Sequence, residues 1–188
     1  DEAVKQAKQE YQVKFDVVIA AGGNGTTLLG FGRGAKKHDC PLVVWESLSS
    51  GLYLNKRFKQ TGDKTPYEWK YGGKPESNHE IFGTVYGPTP YPLPNIEKAF
   101  EEGLIDNVRI LSNEDTKKGA LELTSNEFHR SNISRLCSWE DAIALLKDVE
   151  GKPVGRSSAG NLAMVLDTQW RIQNLNILTF FYDDLSRY

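Results

Sequence analysis

Hydrophobic positions along this chain fall into short continuous runs, separated by stretches rich in glycine, proline or charge. Residues 15–21 (FDVVIAA) are apolar except for Asp16, β-branched at Val17, Val18 and Ile19, and closed by glycines. A run of that length and composition predicts a strand buried on both faces. Residues 41–46 (PLVVWE), 104–111 (LIDNVRIL) and 176–181 (NILTFF) predict three more strands. Between the runs the pattern turns helical. Residues 1–11 place acids before lysines and predict a short helix. A second helix is predicted beyond Thr26 and Thr27 to about residue 37, with Arg33, Lys36 and Lys37 at its far end. Residues 95–102 predict a third, stopped by Gly103. Ser112, followed by Asn113, Glu114 and Asp115, has the character of a helix start, and predicts a helix to about residue 128. The dipole at the end of that helix would account for His129 and Arg130. Further helices are predicted from Ser138, and from residues 162–166 to about Trp170. Strands and helices in alternation predict an α/β unit, with a mostly parallel sheet flanked by helices.

Two stretches resist that pattern. Residues 51–78 are rich in lysine, glycine and tyrosine around Trp69, and read as an irregular surface excursion. Residues 79–94 hold Pro88, Pro90, Pro92 and Pro94, so they cannot form a regular helix and suit a stiff pocket wall.

The chemistry concentrates where the first strand ends. Gly22, Gly23, Asn24 and Gly25 permit a tight turn with positive φ, and Thr26 and Thr27 then open a helix. Strand, glycine turn and helix start together present backbone N–H groups to an anion. The helix dipole and the threonine hydroxyls add to the attraction. The turn reads as a phosphate cradle, although such turns also occur for packing alone. No lysine follows the glycines as in a nucleotide P-loop, and the GxGxxG spacing of a dinucleotide site is absent. A lipid- or nucleotide-kinase-like loop would carry aspartate where Asn24 stands, together with a cluster of magnesium-binding carboxylates, and no such cluster is evident.

Composition narrows the classes further. The chain has 188 residues, enough for one sizeable α/β domain. A formal net charge of −2 argues against a general nucleic-acid or anionic-membrane binder. Two cysteines, Cys40 and Cys137, make no disulfide framework, and neither lies in a CxxC. They point to a reducing, cytoplasmic setting. The loop pair His38 and Cys40 has no further ligand pair at useful spacing, so it reads as plain surface rather than as a metal site. Neither a signal peptide nor an apolar run of membrane length is visible. Both ends read as the edges of a larger unit.

Several stretches, taken in order, resemble the pyridoxal-phosphate enzymes of the cysteine synthase and cystathionine β-synthase family. VVIAAGGNGTTLLGFGRGAKK is similar to that family's strand, GTGGT phosphate loop and following helix. VGRSSAGNLAMVL resembles its serine-containing turn and helix beneath the cofactor ring. NILTFFYDDLSRY resembles its last core strand and ERY-type ending. VVWES and GLIDNVRILSNEDT resemble two intervening segments. The resemblance covers most of this chain but only the C-terminal half to two-thirds of a family enzyme.

The resemblance implies the large domain of a fold-type II enzyme with pyridoxal 5'-phosphate as cofactor. Gly23, Asn24, Gly25, Thr26 and Thr27 would hold the phosphate, with Asn24 in place of the family's threonine. Ser157 would hydrogen-bond the pyridine nitrogen; a shift of one residue would give that role to Ser158. Without the resemblance, Ser157 reads as a helix N-cap. Gly83 resembles a glycine lining the substrate side, whereas Asp184 and Leu185 replace the small residues of the family's closing loop. The implied reaction is β-replacement or β-elimination on a serine- or cysteine-like amino acid, a transferase or lyase of amino-acid biosynthesis. No segment matches the family's Schiff-base lysine, so no catalytic residue is assigned. That lysine would come from a second chain or a missing N-terminal segment, within a homo- or hetero-oligomer. The rival expectation is a lysine-free subunit or paralogue that binds or regulates a partner of the same family.

Overall fold

A computed structural model describes residues 1–47, 93–111, 121–124, 127–129 and 155–182. The excursion around Trp69, the loop bearing Gly83, the helix expected from Ser138, and Asp184 with Leu185 lie outside the described residues.

Six strands form one sheet: β1 (Val17–Ala21), β2 (Leu42–Ser47), β3 (Asn107–Leu111), β4 (Leu121–Thr124), β5 (Glu127–His129) and β6 (Ile177–Leu178), in the order β5-β4-β3-β2-β1-β6. The four strands β3, β2, β1 and β6 run parallel. All four predicted strands are therefore present, although the last is shorter than its apolar run. Past Leu178 the ladder gives way to a side-chain bond, in which Thr179 Oγ1 donates to the Ile19 carbonyl at 2.8 Å.

The helices are α1 (Glu2–Gln6), which widens into a π turn over Ala7–Tyr11, α2 (Thr26–Lys37), α3 (Pro94–Glu101) and α4 (Arg156–Arg171). Gly103 follows α3 at φ 60°, the left-handed conformation expected of a residue ending a helix. The fourth helix begins six residues earlier than its apolar stretch predicts, so Ser157 and Ser158 belong to its first turn.

One prediction fails. Residues 121–124 and 127–129 are antiparallel strands, not the end of a helix, with Leu123 opposite Phe128 and Glu122 opposite His129. The capping signal at Ser112 hid the two-residue alternation of Leu121, Glu122, Leu123 and Thr124, which is strand periodicity. His129 accordingly lies on an edge strand rather than at a helix terminus, and Arg130 lies outside the described residues.

The core has two halves because the sheet is covered on both faces. Val18, Ala20, Leu42 and Val44 face α2 and α3, where they meet Leu28, Ala35, Ile96 and Phe100. Val17, Ile19, Ala21 and Trp45 face α4 through Ala159 and Met164. Burial on both sides explains why β1 is a continuous apolar run rather than an alternating one. At roughly 25 cal/mol per Å2 of apolar surface removed from water, this double burial is the main force holding β1 at the centre. The glycine turn is thereby fixed at the carboxyl end of an inner strand, where ligands gather in open α/β sheets.

Candidate functional site

The turn after β1 is closed by its own hydrogen bonds. Gly22 N–H donates to the Trp45 carbonyl at 2.7 Å, which anchors the turn to β2. Gly25 N–H donates back to the Gly22 carbonyl at 3.2 Å, and Thr26 N–H donates to Asn24 Oδ1 at 3.1 Å. Gly23 and Gly25 hold φ of 48° and 86°, values that a side chain would oppose. Gly25 is held twice over. A Cβ on it would come within 2.9 Å of the Ile96 amide nitrogen and 3.0 Å of the Asn95 carbonyl carbon. The start of α3 therefore sits directly on the start of α2.

Leu29 N–H donates to the Gly25 carbonyl at 3.0 Å and closes the first helical bond. Thr27 and Leu28, the two residues before it, have no intrahelical acceptor, as helix geometry requires. Their amides, with the exposed hydroxyls of Thr26 and Thr27, form the donor set at this end of α2. The Gly25 and Thr26 amides, which sequence reasoning assigns to an anion, are used inside the turn. The Thr26 hydroxyl oxygen accepts from Asn95 Nδ2 at 2.8 Å.

The serine turn lies at the N-terminus of α4, against the same strand. Gly155 is the N-cap and makes no side-chain capping bond. Ser157 is thus not an N-cap; it sits in the first turn and is half-buried. Ser158 is fully buried, and its Oγ accepts from Tyr182 N–H at 2.8 Å. The two serines are separated by role: Ser158 fastens the segment beyond β6, and Ser157 is the more accessible hydroxyl.

Two residues that sequence reasoning passed over tie the site together. Asn161, buried on α4, accepts from Trp45 Nε1 at 2.6 Å and donates through Nδ2 to the Phe180 carbonyl at 2.5 Å. The Tyr182 hydroxyl meets the Asn161 side chain and the Ala21 backbone, and burial of that end of the side chain pushes its pKa up. Ala21 is the last residue before the glycines. Tyr182 therefore reaches from the serine turn at its backbone to the base of the glycine turn at its ring. A buried asparagine within a run of small residues is the only sequence signal that could have marked this hub.

Among the described residues no group of three or more His, Cys, Asp or Glu side chains is placed to hold a metal ion. Nor is any helix among them long and apolar enough to cross a membrane.

No protein-family model matches the sequence, and no curated protein matches it. Solved structures match its fold. An O-acetylserine-dependent cystathionine β-synthase from Helicobacter pylori superposes with a TM-score of 0.62 at 22% identity, over 99% of this chain and 46% of its own length. A hydrogen sulfide-producing enzyme, solved with an α-aminoacrylate intermediate, gives 0.59 at 20% identity, over 100% and 42%. An O-ureido-L-serine synthase gives 0.56 at 15% identity, over 100% and 45%. The chain thus spans less than half the length of each. At these identities the likeness is one of fold, and the chain has the α/β fold of the fold-type II pyridoxal-phosphate enzymes that its motifs resemble.

Proposed function

We propose that this chain is the C-terminal part of a fold-type II protein that binds pyridoxal 5'-phosphate. It would act in β-replacement or β-elimination on a serine- or cysteine-like amino acid, with the Schiff-base lysine supplied outside these residues. The observation that carries the reading is the connection between the two candidate contact points. On α4, Ser158 Oγ holds the Tyr182 N–H and Asn161 holds the Trp45 indole, and the Trp45 carbonyl accepts from Gly22 N–H in the glycine turn. In support, the three solved structures named above match essentially the whole chain, and each is named for chemistry of this kind.

The residues present fit such a cofactor. Gly23 and Gly25 leave Asn24 as the one side chain between them, folded back onto the Thr26 amide, and the dipole of α2 favours a phosphate ester there. The Thr27 and Leu28 amides and the Thr26 and Thr27 hydroxyls would bind it. Ser157 would offer a neutral hydroxyl to the pyridine nitrogen, which leaves that nitrogen less protonated than a carboxylate would. When bound, the cofactor supplies an electron sink for bonds at the α-carbon of an amino acid.

Equilibrium dialysis of the chain against pyridoxal 5'-phosphate tests the proposal. Saturable binding that inorganic phosphate competes away is expected. Borohydride reduction should then fix the cofactor to no single lysine of this chain, and to a partner's lysine when a lysine-bearing partner is added. Absence of saturable, phosphate-competed binding would overturn the reading.

A further inference from the structure

We infer that Asn95 is a positioning residue for the anion site, acting through the Thr26 hydroxyl. This rests on the phosphate reading of the glycine turn and deepens it. A threonine hydroxyl has one proton and two acceptor positions. Asn95 Nδ2 donates to Thr26 Oγ1 at 2.8 Å. That bond fills an acceptor position and leaves the Thr26 proton to be donated elsewhere. Thr26 is the first residue of α2, so its hydroxyl lies beside the amides at the positive end of the helix. The Thr26 amide is occupied by Asn24 Oδ1. The contribution of Thr26 to an anion is therefore its hydroxyl proton, and Asn95 sets the direction of that proton.

Two rigid elements hold the pair. Asn95 is the second residue of α3, after Pro94, whose ring fixes the backbone angle at the helix start. Ile96, Ala99 and Phe100 bury α3 in the core. Its first turn presses on Gly25 so closely that no side chain fits between them. The amide and the hydroxyl thus meet without either helix having to move, which is the arrangement a preorganised donor needs.

The test compares the whole chain with Asn95→Ala, Asn95→Asp, Thr26→Val and the double variant Asn95→Ala with Thr26→Val. Pyridoxal 5'-phosphate, pyridoxal and inorganic phosphate are the probes, and dissociation constants are the readout. Asn95→Ala should weaken the two phosphate-bearing probes about three- to tenfold, the worth of one hydrogen bond, and leave pyridoxal unchanged. Asn95→Asp can only accept, so it draws the Thr26 proton away from the site and should weaken them further. In the Thr26→Val background, Asn95→Ala should have no additional effect. A merely structural role for Asn95 would lower affinity for pyridoxal as well, or add in full to Thr26→Val, and either result overturns the inference. So does unchanged phosphate affinity in Asn95→Ala. If the unaltered chain binds neither phosphate-bearing probe, the phosphate reading itself fails, and the inference with it.

Discussion

Individual residues divide into those that shape the turn and those that could touch a ligand, and the two sets respond differently to substitution. Gly25→Ala places a methyl group against the α3 backbone at a φ of 86°. It should lower unfolding free energy by about 1–3 kcal/mol in a urea titration, whether or not a ligand is present. Gly25 is therefore a poor probe of binding, because its substitution breaks the seat of α3 first. Thr27→Ala is the cleaner probe: an exposed hydroxyl is removed, stability should move by less than about 0.5 kcal/mol, and affinity for pyridoxal 5'-phosphate should fall. The serines separate in the same way. Ser158→Ala removes the acceptor of Tyr182 N–H and should cost about 1 kcal/mol. Ser157→Ala should leave the urea midpoint in place and alter the absorbance of bound cofactor. The glycines and threonines were legible in sequence because turn chemistry is local. The partition between Ser157 and Ser158 was not, since it depends on where residue 182 returns.

Among the elements, α4 carries an unusual burden for a covering helix. Asp167 forms a buried ion pair with Arg109 of β3, both about 4% exposed, and Thr168 Oγ1 accepts from Arg109 Nη1 at 2.7 Å. Thr168 in turn donates to the Met164 carbonyl at 2.7 Å. Removing one partner strands the other charge in the core. Asp167→Ala should therefore destabilise by about 3–5 kcal/mol, whereas replacing both residues with apolar ones of similar volume should cost far less. Paired urea titrations of the single and double variants check this. Asn161 makes a second polar tie from the same helix, to Trp45 and to Phe180. Together these bonds fix both the rotation and the height of α4 over the sheet, and hence the position of its first turn. The helical pattern of residues 162–166 was readable. The polar ties were not, because their partners lie well outside any local window: 19 positions away for Asn161 and Phe180, 58 for Arg109 and Asp167, and 116 for Trp45 and Asn161.

At the scale of the molecule, burial resists ionisation of two groups among the described residues. Cys40 lies in the core beside α2, and burial pushes its thiol upward, with the Asp16 charge adding to the effect. Tyr182 is 38% exposed as a whole residue, but its hydroxyl is desolvated against Asn161 and its pKa is raised in the same direction. Both groups give up a proton less readily in the fold than in the unfolded chain. The stability they contribute is complete below their unfolded pKa values, about 8.5 for a thiol and about 10 for a phenol. It is lost as pH rises from there through the higher folded values. Unfolding free energy should thus decline on the alkaline side from about pH 8.5. In Cys40→Ala the first part of that decline should disappear, leaving the part beginning near pH 10. Denaturation curves taken at a series of alkaline pH values measure it.

Local pattern determined much of this protein before any tertiary contact was considered. Runs such as VVIAA predict doubly buried strands, and glycines between a strand and a helix predict a tight turn with positive φ, because hydrophobic period and backbone sterics act within a few residues. What the tertiary structure alone decided is who meets whom. The seat of α3 on Gly25, the hydroxyl of Thr26 under Asn95, and the reach of Tyr182 from Ser158 to Ala21 join positions far apart in the chain. The strand pair at 121–129 belongs here too: a local capping signal favoured a helix there, and pairing with β3 prevailed. Sheet hydrogen bonds and cross-chain packing stabilise a segment only once its partners are in place, and no window of neighbouring residues contains those partners.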